Sequence, residues 1–252
     1  MGTATETIGS INASNVYYRD LNARLREMVA GGATKIDLRN VHGQRYIGTD
    51  LNKPVEIEIF GTPGNDLGAF MNGPRLVVRG NAQDGCGNTM NEGEIIVHGR
   101  AGDTVGLSAR GGKILIKGDV GYRAGIHMKE YKEKKPVIVI GGTAQDFLGE
   151  YMAGGVLVLL GLNLGEGESY RTKYVGTGMH GGVIYIRGNI ATWQLGKEVG
   201  VAEPGETDNA ILKRYIVEFA REFGYDADKI LADKFIKLYP RWLRPYGRLY
   251  AY

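Results

Sequence analysis

The sequence predicts an all-β fold: a single-stranded right-handed parallel β-helix (solenoid) of about seven turns, with helical N- and C-terminal caps. Three observations carry this expectation. Anchored on the glycine that closes each unit, repeats end at Gly61, Gly80, Gly99, Gly118, Gly141, Gly161 and Gly188, the first three intervals being 19 residues each. Twelve residues before five of these lies an opening glycine, at Gly68, Gly87, Gly106, Gly149 and Gly176, while Gly125 opens a longer unit delayed by the charged segment 129–136. Each unit closes with a short aliphatic run, as in "RLVVRG", "EIIVHG", "KILIKG", "PVIVIG", "VLVLLG" and "VIYIRG".

Strand side chains alternate between faces, so the positions two and four residues before the closing glycine share one interior, for example Leu76 with Val78 and Ile184 with Ile186. Glycine is expected at the corners because the backbone there needs φ > 0 or close packing on the next coil. Three residues after each opening glycine stand Met71, Met90, Ala109, Met128, Met152 and Met179. A flexible thioether repeated in one column fills equivalent core gaps, and the column is read as packing. The stretch "GTGMHGGVIYIRG" contains G-x-G-x-x-G at 176–181, but a strand-like run from Val183 follows it. A dinucleotide turn needs a helix N-terminus there, so the spacing is read as part of the repeat.

The residue before the closing glycine points outward. It is Arg79, His98, Lys117 and Arg187 in four units, but Phe60, Ile140 and Leu160 in the others. With Ile138 and Val158 beside them, Ile140 and Leu160 predict a covered stretch of outer wall, hidden by a terminal helix of the same chain or by another subunit. Charges placed at Ile140 and Leu160 are expected to weaken assembly if a partner covers them, and to unfold the chain if the cover is intramolecular.

Three segments follow: an N-terminal helical cap over 1–34, the glycine-repeat β-helix over 35–190, and a C-terminal helical segment with an aromatic docking tail over 191–252. Residues 18–30 place Leu21, Leu25, Met28 and Val29 at helical spacing before Gly31 and Gly32. Residues 208–223 do the same with Ile211, Leu212, Tyr215, Phe219 and Phe223. The tail "KLYPRWLRPYGRLYAY" contains two prolines and five aromatics, which predicts an extended segment suited to docking. The candidate partner-docking residues are therefore Ile138, Ile140, Val158, Leu160, Trp242, Tyr246, Tyr250 and Tyr252.

Composition narrows the function classes. The 252 residues include 40 glycines, more than twice the usual share, and a formal charge of +3 with Lys and Arg scattered. This gives no support for a nucleic-acid or membrane surface. Cys86 is the single cysteine, so this chain can hold neither a disulfide nor a cysteine-ligated cluster. The longest aliphatic run, 156–160, is too short for a bilayer span, and no signal-peptide order is seen, so a cytoplasmic location is expected.

No catalytic constellation emerges. His42, His98, His127 and His180 share neither a repeat column nor a metal-ligand spacing. No phosphate loop or G-x-S-x-G elbow is present, and Ser108 and Ser169 lack a histidine at a telling distance. Asp66, Asp84, Asp103, Asp119 and Asp146 recur at turns, where a carboxylate accepts from nearby backbone N–H groups. Carbohydrate cleavage on a β-helix groove would need an acidic outer row, which the outer columns do not show.

The segments "GNDLGAFMNG", "GEYMAGGVLVLLG" and "GTGMHGGVIYIRG", together with the closing "RPYGRLYAY", resemble the C-terminal glycine-repeat (GXGXG) domain of the glutamate synthase large subunit. Here the domain stands as a separate chain, as in an archaeal-type split glutamate synthase. A more distant likeness is to the formylmethanofuran dehydrogenase component built on the same kind of repeat. The resemblance implies a β-helix without catalytic residues, bracing a glutamine amidotransferase part and an FMN and iron–sulfur synthase part that together convert glutamine, 2-oxoglutarate and reductant to glutamate. The sequence begins Met1-Gly2 and has one cysteine, so the nucleophile and the cluster are expected in partner subunits: a glutamine amidotransferase and an FMN/iron–sulfur synthase. The resemblance thus implies no bound cofactor, catalytic residue or metal site in this chain. The product stays open between glutamate and that of a relative such as N-methylglutamate synthase.

Overall fold

The computed structural model describes residues 8–242. Among the described residues eleven strands form one continuous sheet in the order β1-β2-β3-β4-β5-β6-β7-β8-β9-β11-β10. The parallel series comprises β1 (Ile8–Asn12), β2 (Lys35–His42), β3 (Glu56–Thr62), β4 (Asn72–Val78), β5 (Glu92–Val97), β6 (Lys113–Ile116), β7 (Val137–Ile140), β8 (Ala153–Leu159) and β9 (Gly181–Arg187). Strands β10 (Val199–Ala202) and β11 (Phe235–Pro240) complete it, β11 pairing antiparallel with both β9 and β10. Two helices carry most of the remaining order, α1 (Tyr18–Ala30) and α2 (Glu206–Phe223), with a short α3 (Ala227–Leu231).

This is a parallel β-solenoid of about six turns, one fewer than expected. The coils are bounded by the parallel rungs of the sheet, and the chain leaves the parallel stack after β9, where β11 and β10 pair antiparallel. At each corner the opening glycine is left-handed, as at Gly87 (φ 73) and Gly176 (φ 68). Its N–H donates to the coil before, Gly87 to the Leu67 carbonyl at 2.8 Å, and its own carbonyl accepts from the methionine three residues later, Met90, at 3.1 Å. An L-residue at this φ is strained, which explains the strictness of the column.

The methionine column is fully buried, confirming its packing role. Carboxylates of the turns act as rungs between coils: Asp84 accepts from the Asp103 N–H, and Asp103 from the Tyr122 N–H, each at 2.8 Å. These bonds satisfy backbone donors that a corner leaves without a sheet partner.

Strand register settles which side chains face in. Ile116 pairs with Ile140 and Val97 with Ile116, so Ile138 and Ile140 belong to the interior stack with Ile114, Ile116, Leu157 and Leu159. This corrects the expectation that Ile138 and Ile140 line the outer wall. The unit ends in the doublet Gly141-Gly142, and it is Gly142 whose N–H donates to the Gly118 carbonyl. Anchoring on Gly141 slips the reading by one residue, and a one-residue slip exchanges the faces of a strand. The outward pair of β7 is Val137 and Val139.

The N-terminal end is sealed by α1, whose Leu21, Leu25 and Val29 join the interior cluster. At the other end β11 adds Ile236 and Leu238, and β10 adds Val199, to that cluster. Helix α2 lies along the outside of the solenoid, where Leu212, Ile216, Phe219 and Phe223 bury against Val77, Ile96, Leu115, Val139, Val158, Leu160 and Tyr185. Its last turn stops at Gly224 (φ 75), whose N–H returns to the Ala220 carbonyl. Each fully buried aliphatic or aromatic side chain in this second layer contributes about 1.5–3 kcal/mol.

Candidate docking surface

The aliphatic wall read from the sequence is covered within the chain. Val158 and Leu160 do point outward, but both are 0% exposed beneath α2. Ile138 and Ile140 are also fully buried, inside the coil. None of these four is available to a partner, because α2 of the same chain covers Val158 and Leu160 and the coil itself encloses Ile138 and Ile140.

A polar seam fixes α2 in this position. The Asp208 carboxylate accepts from the Tyr185 hydroxyl at 2.6 Å, from Lys237 Nζ at 2.9 Å and from the Gly205 N–H at 2.9 Å. Further along, Glu218 pairs with Lys113, and Glu222 accepts from Arg75 at 2.9 Å while Arg75 also reaches Glu56 and Glu94. Burial pushes the Asp208 carboxyl up, but the hydrogen bonds from Lys237, Tyr185 and Gly205 outweigh it and hold the group below its ordinary range. A carboxyl depressed in the folded state stabilises fully above its unfolded value, about 3.9, and loses that contribution as pH falls through the folded value. Asp208→Asn is therefore expected to cost about 1.5–3 kcal/mol at pH 7. The gap in melting temperature from the parent chain should begin to narrow below about pH 4 and close as pH falls through the lower folded value; a gap that is constant with pH would contradict the charge-based role.

The open surface lies at the corner, on a row that the sequence reading does not reach. Residues two positions before or after the corner glycines also adopt positive φ, including Tyr46 (62), Phe70 (59), His127 (54), Phe147 (68), Tyr151 (51) and Tyr174 (57). Such conformations cost on the order of 1 kcal/mol each for a non-glycine residue. Neighbouring coils hold them: the Phe147 N–H donates to the Lys173 carbonyl and the Tyr151 N–H to the Thr177 carbonyl, each at 2.8 Å. The rings then stack from coil to coil, Phe147 on Tyr174 at 4.9 Å and His127 on Tyr151 at 5.4 Å, with the Arg123 guanidinium over Phe147 at 4.7 Å. Aromatics at fixed offsets from the corner glycine are the signal that could have found them.

The row ends in a hollow of about 560 Å³ lined by Tyr174, Trp193, Leu195, Val199, Val201 and Arg241, among others. Trp193 is 70% exposed and Tyr174 51%. Thr177 also lines it, and its hydroxyl is the one buried side-chain polar atom without a hydrogen-bond partner among the described residues. Of the predicted docking residues, Trp242 follows Arg241 directly and is 67% exposed. Tyr246, Tyr250 and Tyr252 lie outside the described residues.

Burial pushes the Cys86 thiol up to about 12, which makes it a packing residue. Among the described residues no three His, Cys, Asp or Glu side chains gather as a metal site, and one buried cysteine does not fit an iron–sulfur cluster. No helix among the described residues is long and apolar enough to cross a membrane.

An apolar interior, a helix-covered flank and an exposed aromatic corner define a β-solenoid repeat protein. The chain belongs to the GXGXG motif family, whose model matches residues 33–244, the family of the glutamate synthase C-terminal domain. It is similar to Uncharacterized protein MJ1350 of Methanocaldococcus jannaschii, with 51% identity over 249 residues, covering 96% of this chain and 95% of that one.

Proposed function

We propose that this chain is a non-catalytic structural subunit of a multi-subunit glutamate synthase. In this reading a glutamine amidotransferase subunit releases ammonia from glutamine, and an FMN/iron–sulfur subunit uses it, with 2-oxoglutarate and reductant, to form glutamate. The β-solenoid braces the two. The observation that carries the reading is family membership over most of the chain, joined to an aromatic corner that the described residues leave exposed. Aromatic residues with a polar rim are what protein interfaces favour. The equivalent subunit of a related oxidoreductase complex, an N-methylglutamate synthase or a formylmethanofuran dehydrogenase, has the same scaffold and differs in its partners.

Affinity purification of the chain from its source organism tests this directly. The expected result is co-purification of an amidotransferase and a flavin and iron–sulfur subunit, with glutamine-dependent glutamate formation lost when this subunit is omitted from the reconstituted mixture. Recovery of the chain alone, or with a different set of enzymes, removes the glutamate synthase assignment and leaves the scaffold intact.

A further inference from the structure

Val78, Val97 and Ile116 are register partners, so the residues that follow them, Arg79, His98 and Lys117, stand on three successive rungs of the outer wall. On the next rung, where Ile116 pairs with Ile140, the position is Gly141. The row of side chains stops there, and a hollow of about 380 Å³ opens beside it. Its walls include His98, Arg100, Lys117, Asn81, Asn163 and Tyr225, over a floor of glycine backbone. A Cβ at Gly141 would run into the Lys117 carbonyl and the Phe219 ring, so the floor is kept bare. Backbone left bare at the bottom of a cleft lets a ligand approach closely.

The charges here are unequally matched. Arg79 is held by Glu58 at 2.6 Å, and Arg100 faces Asp119 at 3.4 Å. Asp119 is further occupied by the Thr143 N–H and hydroxyl and by the Asn163 amide. Lys117 sits over the Tyr225 ring at 5.9 Å, and among the described residues no carboxylate forms a salt bridge with it. His98 Nε2 lies 2.7 Å from Arg79 Nη1. Guanidinium can only donate, so Nε2 accepts and the ring proton sits on Nδ1, a donor. Burial and the Arg79 charge hold the His98 pKa below its ordinary value, consistent with that neutral tautomer.

We propose that this hollow binds a small phosphate monoester, with the phosphate at Lys117 and His98 and the organic part along Tyr225 and Leu162. Arg100 reaches Asp119 through Nε alone and is mostly exposed, which leaves its outer nitrogens to join the Lys117 ammonium and the His98 N–H. Three separate donor groups match the three terminal oxygens of a phosphate monoester better than the two of a carboxylate. The volume exceeds that of free phosphate and leaves room for an organic group.

Calorimetric titration of the full chain with AMP, ribose 5-phosphate, inorganic phosphate, adenosine and succinate tests the assignment. Saturable binding of the two phosphate monoesters, tighter than adenosine or succinate, is the expected result. Lys117→Met should weaken it by roughly tenfold or more, as expected for loss of a charge-assisted contact, with an unchanged melting temperature. Lys117→Gln gives the same readout should the first variant fold poorly. Absence of saturable binding by either ester, equal affinity in the Lys117 variants, or succinate binding as tightly as the esters would each overturn the proposal.

Discussion

Leu160→Lys is expected to loosen α2 from the solenoid and to lower stability by about 3–5 kcal/mol, because a buried aliphatic contact is lost and a charge is placed against an apolar layer. Leu160 touches that layer together with Phe219 and Tyr185, and all three are 0% exposed. Ile140→Lys should be worse. Its side chain lies inside the coil between Ile116 and Leu159 on adjacent rungs, with no route to water, and the expected outcome is a chain without a cooperative melt. Thermal unfolding followed by circular dichroism, with α2 accessibility read by limited proteolysis, separates the two cases. A Leu160→Lys chain that melts like the parent would show that α2 is not the cover on which this wall depends.

The second large effect is on assembly. In the proposed complex, Tyr174→Ala combined with Trp193→Ala is expected to lower the affinity for partner subunits by roughly 30-fold or more, on the order of 2 kcal/mol for the two aromatic anchors together. The melting temperature should hardly move, since both rings are exposed and the Tyr174 ring stacks on Phe147 at the surface. Surface plasmon resonance with the purified partner complex gives the affinity, and a scanning melt gives the control. Full binding by the double variant would move the docking surface elsewhere on the solenoid.

Much of this architecture is legible in the sequence because the repeat is nearly strict. The 19-residue spacing, the opening glycines and the methionine column each restate one constraint, that every coil must turn the same corner and fill the same interior. Legibility fails where the repeat is irregular. The charged insertion 129–136 and the doublet Gly141-Gly142 hide the true end of one unit, which puts Ile138 and Ile140 on the wrong face. Val158 and Leu160 fall on the correct face, yet alternation alone cannot tell whether a helix some 50 residues away in sequence or another subunit lies over them. The aromatic corner escapes for a different reason. Phe147, Tyr151 and Tyr174 adopt left-handed backbone conformations, which sequence rules reserve mainly for glycine, asparagine and aspartate.

Strand β11 lies between β9 and β10 although it follows both α2 and α3 in the chain. Synthesis from the N-terminus therefore lays down the α1 seal first, and each new coil emerges next to a rung that is already folded, so the order of translation matches the order of stacking. The β9 edge is the exception. It waits unpaired for Phe235–Pro240 while some fifty residues are made, and during that interval the nascent chain carries an open template for strand addition.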